Sequence, residues 1–255
     1  MLTLLSPAKK LETSKLNLSL ELTLPEFNID TKKILAVLKN KSVDDLQKLF
    51  SVSKEIAELN FQRFRDFDHD YKEENTKASL FMFAGEVYNG LDANNFSNQD
   101  LDFANSNLRI LSGLYGILRP FDKINPYRLE MGTKCAIGSS KNLYEFWQDN
   151  VTEHINKTNN KVIINLASTE YFKVVKEKKL KANIVTPIFK DFKNGEYKII
   201  MMYAKKARGL MANYIVKNKI TEWQNLKLFN YEGYKFHPEM SDIDNINKKL
   251  VFIRE

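Results

Sequence analysis

A single cysteine, Cys135, stands in 255 residues. No internal disulfide can form, and a zinc site built on cysteine is excluded. Histidine is nearly as scarce: His69, His154 and His237 lie in separate segments, which argues against a histidine metal centre or triad. No apolar run approaches the length needed to cross a bilayer. The opening MLTLLSPAKK places its apolar residues before its two lysines, the reverse of a secretory signal. The expectation is a cytoplasmic protein with no membrane partner. A Walker A loop, G-x-G-x-x-G, H-E-x-x-H and G-x-S-x-G are all missing, so no established catalytic motif points to a reaction, a cofactor or a metal. Internal repeats, low-complexity tracts and linkers are missing as well, and one domain over residues 1–255 is expected.

What is present is a soluble, core-forming composition, 43% hydrophobic and 28% charged, with a net charge of +7. The positive charge is uneven. Between Tyr171 and Lys219 there are 13 Lys and Arg against three acids (Glu177, Asp191, Glu196), a local excess of +10 that leaves the remainder at −3. A basic segment of this kind suits a nucleic-acid or polyphosphate partner, or else a solvated lysine-rich surface.

Periodicity and capping signals give the elements. Leu2 to Leu5 reads as an opening strand. Helices are expected over Thr31–Leu38, over Ser42–Phe50 with Ser42 and Asp45 as a capping box, and over Lys54–Phe67. Ser79–Phe83 reads as a strand, and Ser97 with Asp100 as a helix start. Asn142–Asn156 is helical, with Leu143, Phe146, Trp147 and Val151 on one face, and Val162–Leu166 is a buried-type strand. Ile184–Phe192 and Tyr197–Tyr203 form a hairpin around Asn194-Gly195, which supplies a type I′ turn. Ala204–Asn218 is a helix and Leu250–Ile253 a closing strand. Interleaved strands and helices give an α+β class: one compact domain with a mixed sheet, surrounding helices and a helix-hairpin-helix element.

The densest stretch is RILSGLYGILRPFDKINPYRLEMG, Arg109 to Gly132. An apolar, strand-like start from Ile110 to Leu118 runs into a loop carrying Arg119, Asp122, Lys123, Arg128 and Glu130, stiffened by Pro120 and Pro126. Gly113, Gly116 and Gly132 mark positive φ or close approach. Charged groups on a rigid loop beside a buried strand suit a functional site; a surface salt-bridge cluster is the other reading.

Three further constellations matter. LQKLFSVSKEIAELNF, Leu46 to Phe61, places Leu46, Leu49, Val52 and Ala57 as a helix-hairpin-helix does. There, hairpin amides and the second helix's N-terminus face a phosphate. The contact would come from Ser51, Val52, Ser53 and Lys54, although serines replace both usual glycines and Asn60 takes a usually apolar place. An ordinary αα-hairpin is the alternative. Lys205, Lys206 and Arg208 open a helix after a strand, where cations oppose the dipole and a bound anion would compensate them. Asn165-Leu166-Ala167-Ser168-Thr169-Glu170-Tyr171 lies where a strand ends and a helix begins, the usual ligand position in open α/β sheets; Ser168 also serves as an N-cap. Glu130, Glu170 and Asp122 are the carboxylates placed for acid–base work, or for structural pairing with arginine.

These motifs carry a resemblance. LLSPAKK, LSGLYGILRPFDKINPYRLEMG, NLASTEYFKVVK and YAKKARGLMANYI, in that order and across essentially the whole chain, look like the YaaA family of peroxide-stress proteins. The resemblance implies a cytoplasmic bacterial protein of the hydrogen peroxide response and of DNA repair. It also implies a positively charged cleft, a helix-hairpin-helix and binding of duplex or branched DNA. On this reading Lys9, Ser51 to Lys54, Arg119, Arg128, Asn165, Ser168, Lys205, Lys206 and Arg208 contact DNA or another anion. The alternative is an enzyme acting on DNA or a nucleotide, of base-processing or lyase type, with its site in the same cleft.

Overall fold

Two short runs, Leu2–Leu5 and Val162–Asn165, are almost unbroken apolar sequence because both faces of their strands are covered. They lie side by side in a computed structural model that describes residues 1–15, 18, 20–72 and 76–255. The strands are β1 (Leu2–Leu5), β2 (Lys10–Leu11), β3 (Lys77–Ala78), β4 (Phe83–Ala84), β5 (Leu108–Ser112), β6 (Gly116–Leu118), β7 (Lys123–Ile124), β8 (Val162–Asn165), β9 (Asn183–Lys193), β10 (Glu196–Lys198), β11 (Lys235–Phe236) and β12 (Lys248–Arg254). The main sheet runs β11-β12-β9-β8-β1-β5-β6, with β10 paired on β9. Its middle, β5-β1-β8-β9-β12, is parallel throughout. The flanking pairs β5/β6, β9/β10 and β11/β12 are antiparallel, so the sheet is mixed, as expected.

The helices are α1 (Asn28–Lys39), α2 (Val43–Phe50), α3 (Lys54–Arg65), α4 (Ser79–Met82), α5 (Glu86–Leu91), α6 (Asn98–Asn107), α7 (Leu143–Lys157), α8 (Thr169–Phe172) and α9 (Met201–Lys217). Both capping boxes are formed, by Ser42 with Asp45 and by Ser97 with Asp100. Leu143, Trp147 and Val151 on α7 are fully buried. No helix among the described residues is long and apolar enough to cross a membrane.

Three elements differ from the sequence expectation. Ser79–Phe83 is a helical turn, α4, set between two-residue strands. Every residue of α4 is buried, so no periodicity separates strand from helix, and Ser79 Oγ donates to Arg119 O at 2.8 Å to hold the turn. Ile110 to Leu118 is a tight hairpin, since β6 folds back on β5. The Asn194-Gly195 turn has both residues at positive φ (55° and 83°), but its second arm stops at Lys198. Helix α9 then starts at Met201, three residues before the expected Ala204.

Candidate functional site

In chain order the parallel strands are β1, β5, β8, β9 and β12, yet in space β5 lies on one side of β1 and β8 on the other. The order therefore reverses between β1 and β8. In open α/β sheets the carboxyl ends of strands at such a reversal leave a crevice for ligand. Here the segments that leave β1 (Ser6 to Lys10) and β8 (Leu166 to Tyr171) form one side of a cleft of about 630 Å³. The volume falls within the roughly 300–1,000 Å³ of single small-molecule sites. Tyr127 to Glu130, Ala84 to Val87 before and on α5, and Met201, Lys205 and Arg208 of α9 complete the walls.

The floor is tied by short bonds. Ser168 N donates to Ser6 Oγ at 2.8 Å, and Tyr88 OH donates to Ser6 O at 3.1 Å, joining the ends of β1 and β8 to α5. Ser168 occupies the N-cap position of α8 but makes no capping bond, its hydroxyl facing Ser6. The charged loop is seated by backbone contact: a Cβ on Gly113 would lie 2.3 Å from Leu129 O, so only glycine lets the segment of Leu129 and Glu130 pack there. Glu170 Oε1 accepts from Gly132 N at 3.0 Å, which fixes the far end of the same loop.

Glu130 is held between two cations, Lys9 Nζ at 2.9 Å and Arg128 at 3.1 Å. Arg128 keeps its buried Nε without a partner among the described residues. Arg208 has no ion pair and no side-chain hydrogen bond among the described residues. Burial, with no carboxylate to oppose it, pulls its pKa below the ordinary arginine value. Lys205 likewise has no carboxylate partner there. Tyr127 and Tyr171 are buried at the cleft wall. Burial first, and then neighbouring tyrosine and carboxylate groups, raises the Tyr171 hydroxyl well above its usual value, so it stays protonated. The lining holds five cations (Lys9, Lys10, Arg128, Lys205, Arg208) against three carboxylates (Glu86, Glu130, Glu170), and the surplus favours an anionic guest.

Of the residues expected at the site, Lys9, Arg128, Glu130, Ser168, Glu170, Lys205 and Arg208 line this cleft. The others do not. Arg119 pairs with Asp122 at 3.0 Å and donates to Leu24 O at 3.1 Å. Asp122 is buried, and that burial raises its pKa despite bonds from Thr23 and Arg119, which makes it a structural knot. Asn165 turns its Oδ1 to Ala167 N at 3.1 Å. Lys206 bonds Glu232 at 2.6 Å in a separate hollow. Because α9 starts at Met201, the three cations sit in its second and third turns, and opposition to the helix dipole does not explain them. Nor does the +10 segment form one face: Lys176 and Lys179 pair with Asp149, Lys217 and Lys219 with Asp100, and Lys198 with Glu196.

Ser51 to Lys54 lie outside the cleft, in the turn between α2 and α3. Ser51 adopts the left-handed region at φ 50°, and the amides of Ser51 and Val52 are spent on Lys48 O and Gln47 O, each at 3.3 Å. Glu55 lays its carboxylate on the start of α3, where a bond from the Ser53 hydroxyl, the largest effect, lowers its pKa. Asn60 is buried, with Nδ2 on Ile56 O at 2.8 Å and Oδ1 unpartnered. A phosphate at this turn would meet only the amides at the start of α3, and would displace Glu55.

Lys10, Gly85 to Val87, Ile199 and Met201 were not expected at the site. The sequence signals for the α5 wall were glycines inside helices, Gly90 on α5 and Gly209 on α9, which mark close packing. No group of three or more His, Cys, Asp or Glu among the described residues is placed to hold a metal ion.

Comparison with known proteins agrees with this geometry's breadth along the chain. A sequence profile for the family described as "Peroxide stress protein YaaA" matches residues 1–240. A "UPF0246 protein" of Aliivibrio fischeri strain ES114 is 46% identical over 259 residues, spanning 100% of this chain and 98% of the relative. The corresponding protein of strain MJ11 is 46% identical over 259 residues. A "UPF0246 protein" of Clostridium beijerinckii is 44% identical over 261 residues, again spanning 100% and 98%. By full-length likeness to these relatives and by the family profile, the chain belongs to the YaaA family of peroxide stress proteins.

Proposed function

We propose that the chain serves the peroxide response by binding DNA in the cytoplasm, with the cleft at the β1–β8 reversal taking the phosphate backbone. The observation that carries this reading is Arg208, a desolvated guanidinium facing the cleft without a protein partner. A buried charge without a counter-charge is costly, and an anion supplied from outside relieves it. Lys205, Lys10 and the Arg128 Nε stand beside it as further donors. Phosphate contacts of this kind read backbone and carry no sequence information. The turn from Ser51 to Lys54, as a helix-hairpin-helix, adds a second phosphate contact only after Glu55 swings aside.

The test is a salt titration of a labelled duplex. Affinity falls with salt, with a log–log slope of about −0.9 per phosphate neutralised. Arg208→Gln weakens binding evenly across sequences and makes the slope shallower by about 1. A flat salt response, or an unchanged slope in the variant, refutes the reading.

A second reading, an enzyme acting on DNA or a nucleotide, has its own support in Glu130. A backbone-binding groove gains nothing from a carboxylate among its cations, whereas a carboxylate is one of the groups that serve acid–base chemistry on a bound nucleotide.

A further inference from the structure

Four large apolar side chains stand exposed where β10 gives way to α9: Ile199 at 50%, Met201 at 62%, Met202 at 58% and Tyr203 at 41%. Scattered exposed apolar residues need no explanation, but a contiguous group marks a contact surface. Two of the four, Ile199 and Met201, line the mouth of the cleft, whereas Met202 and Tyr203 line the separate hollow with Lys206 and Glu232. Tyr203 has a structural partner in Arg254, whose guanidinium lies 5.0 Å from its ring centre, but no such contact holds Ile199 and Met201 among the described residues. The hairpin ladder ends at Lys198, and α9 has no side-chain cap at Ile200.

The surroundings select the partner. An apolar peptide or a lipid tail gains nothing from cations at this edge, yet Lys205 stands exposed beside the group and Arg208 lies just inside the cleft, with no carboxylate bound to either. Charge complementarity therefore favours a polyanion with apolar faces, which describes nucleic acid. The cleft, about 630 Å³, is of a size for one small molecule, so the duplex backbone is held at its mouth and only a single nucleotide can enter. Its wall combines the rings of Tyr127 and Tyr171 with cations and carboxylates, suited to a planar base carrying a phosphate.

We propose that the chain draws a single nucleotide out of duplex DNA into this cleft, and that Ile199 and Met201 fill the gap it leaves in the base stack. Apolar wedges of this type hold base steps apart, and extrusion is cheapest at a mispair, where less pairing is lost. The inference rests on the DNA-binding reading and adds to it a ligand for the cleft and a task for the apolar rim. The two cleft-side wedge residues are exposed, so their replacement leaves the core intact.

The experiment uses a short duplex with 2-aminopurine mispaired at one position, read by anisotropy for binding and by 2-aminopurine emission for unstacking. The wild-type chain at saturation raises the emission severalfold. The Ile199→Ser, Met201→Ser double variant melts as the wild type does, and at a concentration that saturates the duplex by anisotropy, whatever its affinity, its emission stays near that of free duplex. Saturated binding with no rise in emission overturns extrusion and leaves the DNA reading standing. A full rise in the double variant overturns the wedge. Absence of any binding at low salt overturns this inference and the DNA reading together, and exposed apolar residues that pair two copies of the chain by sedimentation instead overturn the assignment of the rim to DNA.

Discussion

Gly209→Ala tests how the two walls of the cleft are held. In the interior of a helix this change normally stabilises by about 1 kcal/mol, since alanine is the better helix former. Here α9 crosses α5 so closely that a Cβ on Gly209 would lie 1.9 Å from Val87 O and 2.9 Å from Leu91 N. Ordinary contact begins at 3.4 Å, so the backbones must separate by roughly 1.5 Å. Both partners are backbone, and no side-chain rotamer can relieve the clash. Overpacking that forces backbone shifts costs up to about 3 kcal/mol. The clash therefore outweighs the propensity gain, leaving a net loss of about 2 kcal/mol. For a chain of this length that is a fall in Tm of roughly 4–8 °C. The same displacement moves Arg208 and Lys205 away from Val87 and Glu86, so duplex affinity falls along with stability. Differential scanning calorimetry and anisotropy on one preparation check both. A Tm unchanged or raised would show that the helices part without cost, and would refute the packing reasoning.

Three other outcomes are expected. Burial would raise the Asp100 carboxyl, but bonds from Lys219, the Ser97 amide and Lys217 outweigh it and hold it below the ordinary range, so it adds stability above the unfolded value near about 3.9 and loses it as pH falls through the folded value. Asp100→Asn flattens that acid limb in a pH series of urea melts, and an unchanged limb refutes the assignment. Ser53→Pro suits the native φ of −66° and keeps the fold, while removing an amide at the start of α3. Weaker duplex binding is expected, and unchanged binding in a folded variant reduces the α2–α3 turn to structure alone. Glu130→Gln frees Lys9 and Arg128, so duplex binding holds or tightens while peroxide survival falls; full survival makes Glu130 no more than a structural partner of Lys9 and Arg128.

Strand ends were legible in the sequence because buried parallel strands are short apolar runs with abrupt polar ends. That is why Lys9, Ser168 and Glu170 were found, and why they meet: β1 and β8 pair with their carboxyl ends level. Which member of a charged run turns inward was not legible. Lys205 and Arg208 are three apart and share a helix face, whereas Lys206 lies about 100° round and reaches Glu232. Seeing this requires the helix phase, which its early start at Met201 disguises. Arg119 and Asp122 belong together for the same local reason, three residues apart in a turn. The α5 wall was invisible because it joins the site through a contact between Val87 and Gly209, far apart in the chain.

The placement of β1 also sets a schedule. β1 lies inside the sheet and leaves the ribosome well before both of its neighbours, pairing on one side with β5 and on the other with β8, with Leu2 opposite Ile163. Synthesis at about 5–20 residues per second separates those partners by roughly 8–30 s. Through that interval LTLL waits without its β8 neighbour, and the native sheet stays incomplete around it. The cleft comes later still, since Arg208 arrives after β8. Nascent chains halted before Val162 therefore present an apolar strand whose β8-facing edge is open, the kind of species that chaperones capture and that aggregates when they do not.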